Sequence, residues 1–291
     1  MLAIPGEADP VSALRELSRP VELPRAGLLV RVLPPGLYAG RARMLVTRSA
    51  LASRTIWLAI VSGFFEPLFF LIAMGQGLGS LIGTVAGPVG QQLSYAAFIA
   101  PGLLAASSMN GAVYDATFSF FLKLKYAKLY DAMLATPLGP VDVALGEIGW
   151  ALLRGGMYSA GFLAVMLAAG LILSPWALLA LPAALFVAFA FAAVGIAATT
   201  FMRSWQDFDL VQLVVLPMFL FSATFFPLSV YPPGVRWLVQ AFPLYHAVVL
   251  IRGLTTGVVD WPTLSHVAYF VVMAALGLLV ASRRLKILLL R

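Results

Sequence analysis

"FFLKLKYAKLYDAMLATPLGP", Phe120 to Pro140, places three lysines and one aspartate between two long uncharged or nearly uncharged runs. The runs on either side decide what the stretch is. Residues 94–118 and 148–173 are each apolar over more than the ~20 residues that a helix needs to cross a hydrocarbon core about 30 Å thick. The quoted stretch therefore joins two membrane spans on one watery face. Read as a helix, Leu122, Tyr126, Leu129 and Met133 follow the i, i+4, i+7, i+11 rhythm of one apolar face, with Lys123, Lys125, Lys128 and Asp131 around the rest. The run Thr136-Pro137-Leu138-Gly139-Pro140 ends it, because proline removes a donor and disfavours helix before it. The segment is long where a connection between helices usually takes about 2–8 residues. That favours an ordered docking element over a solvated connector whose lysines only hold topology.

The whole chain agrees with a membrane setting. Over 291 residues it is 62% hydrophobic and 11% charged, with mean hydropathy +0.96, against about a quarter charged residues in soluble domains. Six spans are expected, over 56–74, 94–118, 148–173, 176–201, 210–226 and 264–281, in one bundle with no large soluble domain left over. Sixteen lysines and arginines fall on the side shared by 1–55, 119–147, 202–209 and 281–291. Only Arg236 and Arg252 fall on the other, and 75–93 is uncharged. The asymmetry puts both termini in the cytoplasm. The basic residues flank spans and do not form a face with stacking aromatics, so nucleic acid is excluded as a partner. The chain has no cysteine, which removes disulfides, thiolate metal sites and cysteine nucleophiles.

Residues 1–36, rich in Pro, Glu and Arg, read as a cytoplasmic tail. Residues 37–55 mix Arg41, Arg43, Arg48 and Arg54 with Leu45, Val46 and Leu51, as in an amphipathic helix on an anionic membrane surface; an extended topogenic flank fits equally well. Residues 282–291 form a basic cytoplasmic end. In 227–263 the apolar stretches 235–242 and 244–251 are each too short to cross, and Pro243 divides them. A pair of short re-entrant helices, sheltered by protein, is favoured there over a peripheral surface helix. Pro232-Pro233-Gly234 reads as a turn.

Candidate chemistry is sparse. Glu66, near the middle of the first span and just before Pro67, is either a pathway group or a carboxyl serving the proline kink, and the structural role is favoured. Asp115 and Arg154 can pair with each other, or either with Glu147. His246 and His266 stand alone without a carboxylate cluster, so a metal site is not expected. Ser107-Ser108 read as packing or helix-bonding residues, no G-x-S-x-G elbow is present, and no lysine follows glycine as a phosphate-binding loop requires. The chain is therefore not expected to be an enzyme, and no catalytic, cofactor or metal residue is assigned.

Four stretches resemble a known family: "FFEPLFFLIAMGQGLG" (64–79), "YAAFIAPGLLAASSMNGA" (95–112), "YDAMLATPLGPVDVALGEIGWA" (130–151) and "FLFSATFFPLSVYPPGVRWLVQAFPLYHAVVLIRGLTTG" (219–257). They are similar to the ABC type 2 exporter permeases, in the branch of NodJ and the DrrB-like drug-resistance permeases. The resemblance implies an all-α integral membrane fold: a six-transmembrane-helix bundle over 56–281 with a cytoplasmic coupling helix at 119–140 and an external re-entrant helix pair at 227–256. It implies a separate pair of ATPase subunits carrying ATP and Mg, a second permease copy or paralogue, and surrounding membrane lipids. The ATPase contacts would be Lys123, Lys125, Lys128, Tyr130, Asp131, Thr136, Pro137 and Glu147. A second cytoplasmic contact would come from Arg203, Trp205 and Asp207 in "MRSWQDFD" (202–209). The cargo would be an amphipathic drug, a lipid or a lipid-linked saccharide, leaving across the bacterial cytoplasmic membrane. Glu66, Phe69, Phe219 and Phe225 are the candidates for its path. The rival expectations are an ion-coupled transporter using Glu66 and a membrane-embedded lipid-modifying transferase; the sequence shows neither paired intramembrane charges in two halves nor an acid/base constellation.

Overall fold

The computed structural model describes residues 41–53, 57–134 and 138–289. Eleven α-helices run through them in chain order: α1 Ala42–Ser53, α2 Trp57–Ile72, α3 Gly79–Ile82, α4 Tyr95–Tyr114, α5 Leu129–Leu134, α6 Pro140–Ala168, α7 Ala180–Thr199, α8 Asp207–Phe221, α9 Pro233–Ala241, α10 Pro243–Thr256 and α11 Trp261–Leu289. The expected tail at 1–36 lies outside the described residues, as does Arg54. Five helical stretches are long and apolar enough to cross a membrane: Phe65–Ile82, Tyr95–Tyr126, Val141–Ala168, Pro175–Thr199 and Trp261–Leu288. α9 and α10 form a pair bent by 86°.

The ends of these helices follow from local chemistry. The Ser94 hydroxyl accepts from the Ala97 amide at 3.3 Å and so caps α4. Pro140 opens α6 at a position where a missing N–H costs nothing. The α9–α10 bend falls where the sequence puts it: Phe242, held extended (φ −70°, ψ 131°) before Pro243, ends one helix and precedes the other. Gly257, at φ 85°, closes α10 in the left-handed conformation that glycine adopts without strain. Pro233-Gly234 is the start of α9, so the expected turn is confined to Pro232.

α4 and α7 form the centre. α4 packs on α6, α7 and α10, and α11 lies along α7. Small residues let the backbones approach, as membrane interfaces require. A Cβ added at Gly277 would sit 2.8 Å from the Ala193 and Val194 backbone, and one at Gly195 would sit 2.8 Å from the Ala116 Cβ.

Four features depart from the expected layout. The connection after α3 holds a two-stranded antiparallel hairpin, Thr84–Ala86 on Gln92–Ser94, turning through Val89 and Gly90 at positive φ. The fifth expected span, 210–226, is helical only to Phe221. Ser222, Ala223, Thr224 and Phe225 are buried but irregular, because the 15-residue α8 gives way to a kink with Ala223 at φ 55°. α1 does not simply lie on a surface: Leu45 is buried against α6, where Gly146 leaves room for it, and the Arg41 amide donates to Asp142 at 2.7 Å. The two histidines are not isolated. His246 and His266 share a hydrogen bond between their Nδ1 atoms at 2.7 Å, and His246 stacks on Tyr269 at 4.1 Å, which ties α10 to α11.

The close approach of α11 and α7 yields a test. Gly277→Ala must separate two backbones and is expected to cost about 1–3 kcal/mol. Gly155→Ala, which meets nothing within 4 Å, should leave stability unchanged or slightly raised. Thermal unfolding of the two variants in mild detergent checks the contrast; equal midpoints would contradict this packing.

Candidate functional site

The end of the bundle that carries 120–134 is built on α4. Beyond Tyr114 the chain continues in two π-helical segments, Asp115–Ser119 and Leu122–Tyr126, separated by Phe120 and Phe121. Widened turns of this kind expose carbonyls that need other donors. One is taken by α7: the Thr199 hydroxyl donates to the Ala116 carbonyl at 2.9 Å. The helix stops at Ala127. Lys128, at φ 45°, reverses the chain into the short α5. The expected continuous amphipathic helix over 119–140 is thus broken into a helical extension, a knuckle and one further turn and a half. Its apolar face is not one stripe: Tyr126 is 66% exposed, while Tyr130, off that stripe, is fully buried.

Two ion pairs stitch α4 to α6. Lys123 Nζ meets Glu147 Oε2 at 2.5 Å, and Arg154 Nη2 bonds Asp115 Oδ1. Glu147 and Asp115 are both nearly inaccessible, so each carboxylate depends on its cation. Beneath them, Tyr130 packs its ring 5.1 Å from Phe120. Its hydroxyl is buried beside Glu147 but short of hydrogen-bonding geometry; burial first, then the carboxylate, hold its pKa well above the ordinary phenolic value. Lys125 and Lys128 project outward.

The turn before α8 is fastened to this end. The Asp207 carboxylate accepts from the Arg203 amide at 2.6 Å and the Ser204 amide at 3.2 Å, and those two N–H groups hold its pKa below the ordinary carboxylate value. Trp205 and Phe208 stand over α4, edge-on to Phe118, Tyr126 and Phe121 at 5.1–6.1 Å. Rings in tilted and T-shaped contact at such distances attract one another beyond the area they bury. The two polar stretches picked out separately in the sequence, 119–134 and 202–209, are therefore one aromatic assembly.

Above the assembly opens a cleft of about 760 Å³ between α2, α4, α6 and α8. Phe118, Trp205 and Phe208 form its floor, Phe70 and Phe219 its far wall, and Glu66 and Arg154 its charged groups. Phe219 meets Phe225 edge-on at 5.2 Å and Phe70 at 5.6 Å.

A bundle of apolar helices with a polar elbow between two of them can be matched against known proteins. Residues 41–255 fit the model of the family described as ABC-2 type transporter. The chain belongs to the ABC-2 type transporter family. Among its relatives are Nodulation protein J of Rhizobium leguminosarum bv. trifolii, 33% identical over 66% of this chain and 72% of that protein, and Nodulation protein J of the viciae biovar, 32% identical over 72% and 77%. The inner membrane transport permease YadH of Escherichia coli K12 is 26% identical over 75% of this chain and 83% of its own length. This ABC-2 chain is a multi-pass membrane permease.

The structure distributes the sequence-derived site residues unevenly within the ABC-2 framework. Lys123, Tyr130 and Glu147 come together, but as internal structure; Lys125 and Lys128 are the exposed cations of the knuckle. Asp131 lies on α5, and Thr136 and Pro137 fall outside the described residues. Arg203 is exposed, while Trp205 and Asp207 build the turn itself. Glu66 and Phe219 line the cleft, Phe225 is buried behind it, and Phe69, 63% exposed and stacked on Phe65, is not among the residues lining it. Ser108 bonds the Leu104 carbonyl and the Ser159 hydroxyl, as a helix-bonding residue does.

One residue was missed. Arg252, counted in the sequence as a loop charge, is buried in α10 with its guanidinium 3.9 Å over the Phe98 ring. It donates to the carbonyls of Phe98 (3.2 Å), Ala223 (3.0 Å) and Thr224 (3.4 Å). Its position inside the apolar run 244–256 was the available signal.

The Lys123–Glu147 pair is asymmetric, with side chains 25% and 7% exposed. Lys123→Met strands a buried carboxylate and is expected to cost about 3 kcal/mol. Glu147→Gln leaves a lysine that can reach water, and should cost less. The double variant should recover most of the loss, as thermal unfolding of the four proteins in detergent would show.

Proposed function

We propose that this permease is the membrane half of an ATP-driven exporter, working as a pair of permeases on two ATPase subunits that bind ATP and Mg. The observation that carries the reading is the shape of the 120–134 end: a short helix and two exposed lysines held rigidly on the spans of α4 and α6. An element so fastened moves with the spans it joins, because Lys123–Glu147, the Tyr130 ring and the Trp205 cluster leave it little independent freedom. A partner that pushes the knuckle shifts α4 and α6 together, and both border the cleft. In this reading the knuckle and both termini are cytoplasmic, and the bent pair α9–α10 lies at the outer face of a bacterial cytoplasmic membrane. An amphipathic molecule is the cargo, since an apolar cleft with a few polar groups suits one. The Escherichia coli relative, an inner membrane transport permease, supports transport, and the Rhizobium relatives are nodulation proteins in their own organisms.

Export with an ATPase partner is testable at the knuckle without disturbing the fold. Lys123 is committed to Glu147, so reversing its charge would break internal structure. Lys125→Glu with Lys128→Glu changes only exposed charges. The double variant should insert and unfold like the parent, yet lose co-purification with an ATPase subunit and at least about tenfold of ATP-dependent cargo uptake into inverted vesicles. Unchanged export in a correctly inserted double variant would remove the knuckle from the coupling path.

A further inference from the structure

The cleft is more specific than an apolar slot. Among the described residues that line it, the charged ones are Glu66 from α2 and Arg154 from α6. Arg154 is engaged by Asp115 on α4, so its charge is already answered. Among the described residues no ion-pair partner answers Glu66, which lines the cleft one turn from Phe70. An acid on a membrane helix is expensive unless it meets a cation or water, and one lining an open cleft, with no partner among the described residues, points to a ligand more than to the Pro67 kink. Asn110 supplies a second, independent sign. Its Oδ1 is buried on the α4 side of the cleft and accepts no hydrogen bond, although a buried acceptor left empty costs free energy comparable to a lost hydrogen bond. Both groups lack the same thing, a positive or N–H-bearing partner, and the aromatic rings around them present faces that attract cations.

We infer that the cleft is a binding site for an apolar cation: an organic ammonium or phosphonium whose charge sits against Glu66, whose N–H groups, where it has them, reach Asn110 Oδ1, and whose apolar body lies between Phe70 and Phe219. The cleft volume of about 760 Å³ suits a drug-sized molecule. The inference rests on the export reading only in taking this ligand as cargo; the binding site itself does not require it.

The test uses the full chain in lipid nanodiscs, titrated calorimetrically with tetraphenylphosphonium and tetraphenylborate, after subtraction of protein-free discs. The two ions share shape and apolar surface and differ in the sign of their charge. Saturable binding of the phosphonium near one per chain is expected, with no saturable binding of the borate. Glu66→Gln should weaken phosphonium binding at least about tenfold, and Glu66→Asp should retain most of it. Equal binding of both ions, or an affinity unchanged in Glu66→Gln, would overturn the proposal; should Glu66→Gln not fold, the contrast between the two ions in the parent chain decides alone. Asn110→Ala should weaken binding of biphenylmethylammonium but not of its N,N,N-trimethyl form, and an equal effect on both would remove Asn110 from the site. Charge-selective binding by a chain that exports no cation with its ATPase would keep the site and discard the export reading. Export of other cargo by a chain lacking such binding would do the reverse.

Discussion

Two ion pairs between the π-helical extension of α4 and α6 set the geometry on which the rest of the bundle's basic end depends. In a low-dielectric surround a carboxylate is tolerated only where a cation reaches it, and breaking such a pair costs more than the pair itself contributes. Lys123–Glu147 and Arg154–Asp115 therefore act less as sources of stability than as constraints on register. They fix how far α4 has advanced past α6 when the chain leaves the helix at Ala127. Once that register is set, Tyr130 falls under Phe120, α5 is positioned, and the Trp205 turn has an aromatic surface to close on. The cleft above inherits its floor from the same arrangement.

The same constraint accounts for Arg252. The chain after α8 abandons helix at Ser222, and a backbone that does so at membrane depth must have its polar groups answered by protein. Arg252 answers two of them, at Ala223 and Thr224, and reaches a third carbonyl on α4. A neutral side chain has too few donors for that task. The arginine thus binds the bent pair α9–α10 to the irregular end of α8 and to the central helix at once.

These features were unequally legible in the sequence. The bend at Pro243 could be read because that proline divides two apolar stretches each too short to cross and disfavours helix at the residue before it, whereas Pro67, Pro101 and Pro217 lie inside helices. The long spans were legible because hydropathy measures burial over a window of twenty residues. The same property hid the end of α8: Ala223, Phe225 and Phe226 continue its apolar run, and an apolar run does not distinguish helix from kink. The π segments left no trace, since they preserve which residues are apolar and change only their angular spacing. The contacts of His246 with His266, and of Trp205 with Tyr126, link residues 20 and 79 positions apart, and nothing in a linear pattern of residue types places such rings together. Arg252 was misassigned because a count of charges treats any basic residue outside a span as solvated.

Two of the departures from regular helix lie at the cleft. Thr117 and Phe118, in the π segment that follows α4, line the cleft, and Phe225, in the kink after α8, holds the cleft residue Phe219 in place. A kink in a regular helix frees the carbonyls of the turn it breaks, whereas here the Ala116 and Ala223 carbonyls are already bonded from outside, by Thr199 and by Arg252. A cleft bordered by such elements can change width by exchanging those side-chain hydrogen bonds, with the spans themselves left whole. The bonds holding the irregular segments come from α7 and α10, so the two walls of the cleft are each anchored to a helix that does not itself line it.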